Sequence, residues 1–226
     1  MMLLGQAVMI NWSDVAAENR PAYYAWHNHE HMPGAVALNG FRRGRRYLAA
    51  RARRDLLVFY EIDDISVLVG PEYTAKVNNP SPLTQRTTKV IQNSIRGLTR
   101  VKCSLGEAIG GHALTLRFDP RDGGEDELGR YLIDEALPRI AERVDIVGAH
   151  LCVTDKPVSS VVTAERRGRP TIVPNWIVIL EGTSLEAVDS ACDAQLSEQG
   201  LHQHGCAGAV ERVTYSLQLV CPKARS

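Results

Sequence analysis

Apolar and polar positions along the chain fall into two similar series of strand-like and helix-like segments. In the first, residues 6–12 read as a strand. Asn19 is placed to cap a helix, with Pro21 in the first turn, where its missing N–H costs nothing. That helix is expected to run to about His31 and to be disturbed by Pro33-Gly34. Residues 40–49 and 56–62 read as strands, joined by the basic link Arg51-Ala52-Arg53-Arg54. Ser66 is placed to cap a short helix through Lys76, and Asn78-Asn79-Pro80-Ser81-Pro82 is a break. Residues 84–97 are expected to be helical, and residues 100–108 return as a strand.

The pattern then starts again. Residues 111–118 read as a strand and residues 119–124 as a turn. Residues 125–143 have helical periodicity through Leu128, Leu132, Ile133, Leu137 and Ile140, with a kink expected at Pro138. Residues 144–154 and 176–182 are strands, Ser184 caps a helix over 185–199 that stops at Gly200, and residues 209–220 are the last strand. The order is β-α-β-β-α-β, twice. The two third strands match best, Leu56-Leu57-Val58-Phe59-Tyr60-Glu61 beside Trp176-Ile177-Val178-Ile179-Leu180-Glu181. The expected fold is therefore α+β: two tandem ferredoxin-like (βαββαβ) units, residues 1–109 and 110–226, packed sheet to sheet as an intrachain α/β barrel. The plain alternative is two independent α+β domains.

Composition narrows the function classes. Lys+Arg and Asp+Glu both count 26, so no bulk electrostatic pull toward nucleic acid or an anionic membrane is indicated. No apolar run reaches the roughly 18 residues that span a bilayer, and the start of the sequence lacks signal-peptide character. A cytoplasmic protein acting on a small molecule is the expectation, with a homodimer as one option for its assembly. The five cysteines, Cys103, Cys152, Cys192, Cys206 and Cys221, have neither the number nor the spacing of a disulfide framework or a zinc knuckle. Cys152 reads as a core thiol, and Cys206, beside His204 and Gly205, is the one to test for reactivity.

The chemistry concentrates in Trp26-His27-Asn28-His29-Glu30-His31-Met32-Pro33, where three of the seven histidines fall together. On a helix Tyr23, His27, Glu30 and His31 share a face, while His29 points elsewhere. His27 and His31 are candidates for a general acid/base pair, with Glu30 or an arginine orienting one ring. Rings packed between helix and sheet are the plain alternative. A pair of histidines at i,i+4 also suits a metal, but a third ligand would have to come from Glu61, His112 or His150, none fixed by spacing, and no metal is expected. Alternation puts Phe41, Arg43, Arg45 and Tyr47 on one face of the second strand and Arg42, Arg46 and Leu48 on the other. Arg43 and Arg45 are candidates to hold a substrate carboxylate or phenolate, with structural pairing to Glu61 as the alternative. Asn11 and Trp12 end the first strand near the helix entry and are placed to line the same pocket. His112, His150, His202 and His204 belong to the second half. Dinucleotide, P-loop and serine-hydrolase motifs are absent.

Trp26 to Pro33, followed by Gly40-Phe41-Arg42-Arg43-Gly44-Arg45-Arg46-Tyr47, resembles the W-[YH]-x-x-EH-x-P helix and G-F-x-R-x-R-R-Y-like strand of EthD-like members of the dimeric α/β-barrel superfamily, including tandem-repeat members. The likeness is specific over about thirty residues, and architectural elsewhere. It implies a cavity between sheet and helices. The second half carries Asp134-Glu135-Ala136-Leu137-Pro138 in place of the motif, so the resemblance implies one intact and one degenerate repeat. Superfamily members include phenol monooxygenases, lactone isomerases, polyketide cyclases, decarboxylases and haem enzymes, so fold alone names no reaction; no haem-attachment motif is present. The favoured expectation is a cofactor-independent lyase (decarboxylation or elimination) or isomerase/cyclase acting on a small aromatic acid or carbonyl compound. His27 and His31 would be catalytic, and Asn11, Tyr23, Trp26, Arg43, Arg45 and Tyr47 would bind substrate. The alternatives are a cofactor-independent monooxygenase of a phenolic compound and a non-catalytic binding protein.

Overall fold

The strands with the least alternation explain the architecture. β3 (Leu56–Ile62) and β7 (Trp176–Gly182) are buried at every residue. One face of an antiparallel sheet commonly meets water. Here one face looks into a barrel and the other lies under helices. The computed structural model describes residues 3–50, 55–160, 164 and 175–224. The other strands are β1 (Ala7–Val15), β2 (Phe41–Ala49), β4 (Ile91–Gly106), β5 (His112–Pro120), β6 (Ile146–Thr154) and β8 (Cys206–Pro222). They close into one antiparallel barrel in the order β1-β3-β2-β8-β5-β7-β6-β4. The expected α+β class is borne out. The halves join edge to edge, through β2–β8 and β4–β6 hydrogen bonds, so the sheet is continuous around the barrel.

The helices are α1 (Arg20–Trp26), α2 (Met32–Val36), α3 (Pro71–Asn78), α4 (Pro82–Thr87), α5 (Glu125–Arg130), α6 (Leu137–Ala141), α7 (Lys156–Ser159), α8 (Leu185–Gln195) and α9 (Glu198–Gln203). Val8, Ile10, Trp12, Leu57, Phe59, Ile177 and Ile179 fill the barrel, while Met9, Val58 and Tyr60 meet the first-half helices outside it. Leu114, Leu116, Val178 and Leu180 do the same in the second half. Gly44 is required by close approach: a Cβ there would lie 2.9 Å from Met32 Cγ and 3.0 Å from the Tyr60 ring. Among the described residues no helix is long and apolar enough to cross a membrane.

Several local expectations change. Pro33 and Pro138 do not end their helices. Each is preceded by a π-helical stretch, His27–His31 and Tyr131–Ala136, in which Met32 N–H reaches His27 O and Leu137 N–H reaches Leu132 O. A proline ring crowds the carbonyl four residues back, and a wider turn relieves that crowding. Both halves use the same solution, so the π turn accompanies the proline rather than the histidines. The helix expected over residues 84–97 is only α4 and a 3-10 turn, Thr88–Val90, because β4 already starts at Ile91 and pairs with β1. The Asn19 side chain makes no cap; a 3-10 turn, Ala17–Asn19, leads directly into α1. Asp64, not Ser66, caps the next turn, accepting from Ser66 N–H at 2.9 Å. Ser184 caps α8 as expected, but that helix ends at Gln195 and Ser197 caps α9 separately. A bulge between Phe41 and Arg43 turns Phe41 outward, against Tyr60 and Tyr73, instead of onto the face of Arg43. The basic link 51–54 lies outside the described residues.

The barrel interior holds a charged network. Glu61 and Glu181 sit at matching places on β3 and β7 and are fully buried, as is Arg45. Arg45 Nη1 donates to Glu181 Oε2 at 2.6 Å, and Nη2 lies 2.8 Å from Glu61 Oε1, off the hydrogen-bonding line. Arg43 grips Glu61 bidentately, with Nε to Oε1 at 2.8 Å and Nη2 to Oε2 at 2.7 Å. Backbone N–H groups of Leu4 and Gly110 donate to Glu61 and Glu181. Burial alone would raise the Glu181 carboxyl, but Arg45 and His150 outweigh it and hold it down at about 2. Its contribution to stability is therefore present above the ordinary 4.5 and disappears as pH falls toward about 2, so acid unfolding should steepen in that window. Arg45→Met should cost about 3–5 kcal/mol, the penalty for stranding buried carboxylates, read from denaturant midpoints near neutral pH. A loss below about 1 kcal/mol would show that the two glutamates do not depend on it.

Candidate active site

A cavity of about 90 Å³ lies outside the barrel, between the first-half sheet and the helices. Three outward residues of β1, Met9, Asn11 and Ser13, form its floor with Val58 and Tyr60 of β3. The helical run from α1 through the π turn supplies Tyr23, Trp26, His27 and His31, and α3 supplies Tyr73, Lys76 and Val77. Ile91, Ser94 and Arg96 of β4 complete it. The spacing 23, 27, 31 places three rings along one helix face. The His27 ring stacks on Tyr23 with centroids 5.3 Å apart, His31 lies 5.7 Å from His27, and His31 lies 4.3 Å from Trp26.

His27 is 2% exposed, and its Nδ1 lies 3.1 Å from Arg46 Nη1. A guanidinium can only donate, so Nδ1 accepts and the ring proton sits on Nε2. Arg46 is itself fixed by Asn28 Oδ1 at 2.8 Å, by Gln218 Oε1 at 3.2 Å and by the Tyr24 ring below it. Burial first, then the neighbouring His31 and Arg46, push His27 well below its ordinary 6.5, so it is neutral at physiological pH. Burial likewise drives the Tyr23 phenol upward and keeps it protonated. An arginine, not Glu30, orients the imidazole. Glu30 accepts from Ser81 Oγ and from Thr84 Oγ1, and Thr84 Oγ1 accepts from Trp26 Nε1 at 3.0 Å. That chain pins α4 and holds the indole in place.

Of the residues singled out in the sequence, Asn11, Tyr23, Trp26, His27 and His31 meet at this cavity. Arg43, Arg45 and Tyr47 do not line it. Their side chains turn into the barrel, on the other side of the sheet, and Tyr47 stacks on Phe59 beside Arg45. Trp12 also faces inward, with Nε1 3.4 Å from Thr115 Oγ1. His112 and His150 are held by Ser216 and Ser104, His202 by Gly208 O, and His204 stacks on Tyr131; none of the four lines the cavity. Cys206 is buried and its thiol is pushed up by that burial, which removes the case for a reactive thiolate. Cys152 is buried in the core and pushed up to about 12. Among the described residues no cluster of three His, Cys, Asp or Glu is disposed to hold a metal.

Arg96, Lys76, Ser13, Ser94, Tyr60 and Tyr73 are lining residues that the sequence reading missed. Arg96 matters most. It is 5% exposed and makes no hydrogen bond or ion pair among the described residues. The helix expected over residues 84–97 hid it. The repeat itself carried the missing signal, because the last strand of the second half, Cys206–Pro222, is as extended as Ile91–Gly106 to within one residue.

The second half shows what closes such a cavity. Strand register and the matched prolines equate Asn11 and Ser13 with Leu116 and Phe118, and Tyr23, His27 and His31 with Leu128, Leu132 and Ala136. All five replacements are buried in one apolar cluster.

The buried neutral His27 generates a pH prediction. The unfolded chain protonates it below 6.5 while the fold resists, so its contribution to stability is present above 6.5 and is lost as pH falls below that value. His27→Gln should lose less stability than the unmodified protein between about pH 7.5 and about pH 5, measured by denaturant titration. Equal losses would mean that His27 titrates freely.

No protein-family model and no curated protein matches the chain. Solved structures do. An anthrone oxidase-like protein is 12% identical with a TM-score of 0.65, covering 97% of this chain and 93% of its own. A Fusobacterium nucleatum protein described as a "putative monooxygenase" is 9% identical with a TM-score of 0.65, over 98% and 96% of the two chains. A second protein so described, from Lactobacillus acidophilus, is 8% identical with a TM-score of 0.59, over 97% of each. At these identities the likeness establishes a shared fold.

Proposed function

We propose that the protein is an enzyme that oxidises a small phenolic or enolisable aromatic compound with molecular oxygen, without an organic cofactor. The observation that carries the reading is the fixed state of His27 in an aromatic-walled cavity. An Nε2–H on a ring kept neutral chiefly by burial, with its tautomer fixed by Arg46, is a hydrogen-bond donor for a developing phenolate or enolate oxygen, not a base. The base role then falls to His31, 5.7 Å away at the same cavity. Trp26, Tyr23 and Tyr60 supply ring faces for an aromatic substrate. The names of the structural neighbours support an oxygenase in preference to the lyase or isomerase favoured from sequence.

His31 removes the hydroxyl proton of a phenol or a proton from an activated methylene carbon, and His27 stabilises the oxyanion that results. The electron-rich carbanion reacts with O2 to give a peroxide, which takes up the proton and loses water as the carbonyl forms. Overall, the substrate gives up two hydrogens, both from a methylene or one each from a phenol's ring carbon and hydroxyl, and one O2 becomes one C=O and one H2O, so no separate reductant is consumed.

The motif over Trp26 to Tyr47 supports placing the chain with EthD-like dimeric α/β-barrel proteins. The matched registers of the two halves support a repeat at 1–109 and 110–226, the second filled in and serving as scaffold.

The test is oxygen uptake and product mass with simple hydroquinones and anthrone-type ketones. The expected product gains an oxygen from isotopically heavy O2 and loses two hydrogens. Loss of carbon dioxide under anaerobic conditions would overturn the reading in favour of a lyase. His31→Ala should lower kcat by about 10²–10⁴-fold, the usual worth of a positioned base. His27→Gln should raise the apparent pKa of the bound substrate as well as lower kcat, because it removes an oxyanion donor.

A further inference from the structure

We infer that the cavity is built for an aromatic carboxylate, with Arg96 as the counter-ion of the carboxyl group. The inference rests on the aromatic reading of this cavity and names its substrate class. Arg96 is 95% buried by its 5% exposure, opens on the cavity, and has no protein partner among the described residues. A guanidinium so placed is costly without an anion. The cavity lining contains no Asp or Glu, but includes a second cation, Lys76.

The second half is an internal control. β1 pairs Asn11 with Arg96, and β5 pairs Leu116 with Arg212 at the matching register. Arg212 is neutralised by the protein itself: Nη2 donates to Asp189 Oδ1 at 2.6 Å and Nη1 to Asp193, both on α8. The same barrel position in the first half has kept its arginine, while no carboxylate of the described residues reaches it. In the filled half the guanidinium has a built-in counter-ion, and in the open half a cavity takes that place. Polar side chains share the cavity with this guanidinium: Asn11 is its register partner, and Ser13 and Ser94 line the same space. A planar fork in a cavity that also offers an amide and hydroxyls suits a carboxylate, which accepts two parallel N–H bonds and further donors.

Calorimetric titration near neutral pH with 4-hydroxybenzoate, 4-hydroxybenzamide and phenol tests this. In the unmodified protein the carboxylate should bind about 10–100-fold more tightly than its neutral amide, the worth of charge-assisted hydrogen bonds to a buried arginine. Arg96→Gln should abolish that preference while circular dichroism shows the fold intact. The comparison of carboxylate with amide needs no variant, so it stands even if Arg96→Gln does not fold. Equal binding of the amide, no binding of any of the three, or a preference that survives Arg96→Gln and disappears in Lys76→Gln would overturn the inference. So would phenol affinity that climbs with pH toward its ionisation, together with no carboxylate preference, since the anion on Arg96 would then be the phenolate. Oxygen uptake is scored separately. Selective carboxylate binding without uptake removes the oxygenase reading and leaves the anion site, whereas uptake on neutral phenols without carboxylate preference does the reverse.

Discussion

The fold turns on one buried arginine. Arg45 stands between Glu61 from the first half and Glu181 from the second, all three out of water. Without it the two buried carboxylates would repel, and Glu181 would lose the largest of the influences that hold its carboxyl down against burial. Because Arg45 leaves β2 and reaches a glutamate on β7, the same contact ties the halves across the interior while β2–β8 and β4–β6 pairing ties them at the rim. Arg43, Leu4 N–H and Gly110 N–H complete the coordination of the two carboxylates. Such a network favours one register of β2 against β3, since a shift of one residue would turn Arg43 and Arg45 outward and break their contacts with both glutamates.

An interior so occupied has consequences for function. With the barrel filled by Trp12, Phe59, Ile177 and the charged network, a ligand site on this architecture belongs on the outside, under the helices. The first half leaves space there, while the matching residues of the second are packed in one apolar cluster. The difference comes from a few positions: where the first half has Asn11, Tyr23, His27 and His31, the second has Leu116, Leu128, Leu132 and Ala136. Polar and ring side chains that need partners leave a cleft, whereas leucines interdigitate and close it.

Within the cleft two arginines act in opposite ways. Arg46 is fully engaged and works through His27, fixing its tautomer and adding to the burial that keeps the ring neutral. Arg96 is unengaged and faces the space directly. The sheet separates both from Arg43 and Arg45. Four arginines near one another therefore divide into structural, positioning and ligand-facing groups, according to which side of a strand each leaves and which carboxylates it meets.

The repeated strand and helix order was legible in the sequence because it is written in local periodicity and turn residues. The match of Glu61 with Glu181, and the helical spacing of Tyr23, His27 and His31, were legible for the same reason. Sidedness was not. Alternation assigns residues to two faces of β2, but not which face looks into the barrel, and the bulge after Phe41 moves that residue across. Arg43, Arg45 and Tyr47 are therefore available to a ligand on sequence grounds, whereas barrel closure turns them toward Glu61 of β3 and Glu181 of β7. Arg96 was invisible because residues 84–97 suit a helix locally, and only hydrogen bonding to β1 makes them a strand. The tautomer of His27 depends on Arg46, which is nineteen residues away in sequence and on another element. Sequence alone determined which elements form and where the imidazoles cluster, since neighbours along the chain decide both. Tertiary structure alone decided which charges find partners, because a counter-ion is set by distance in space.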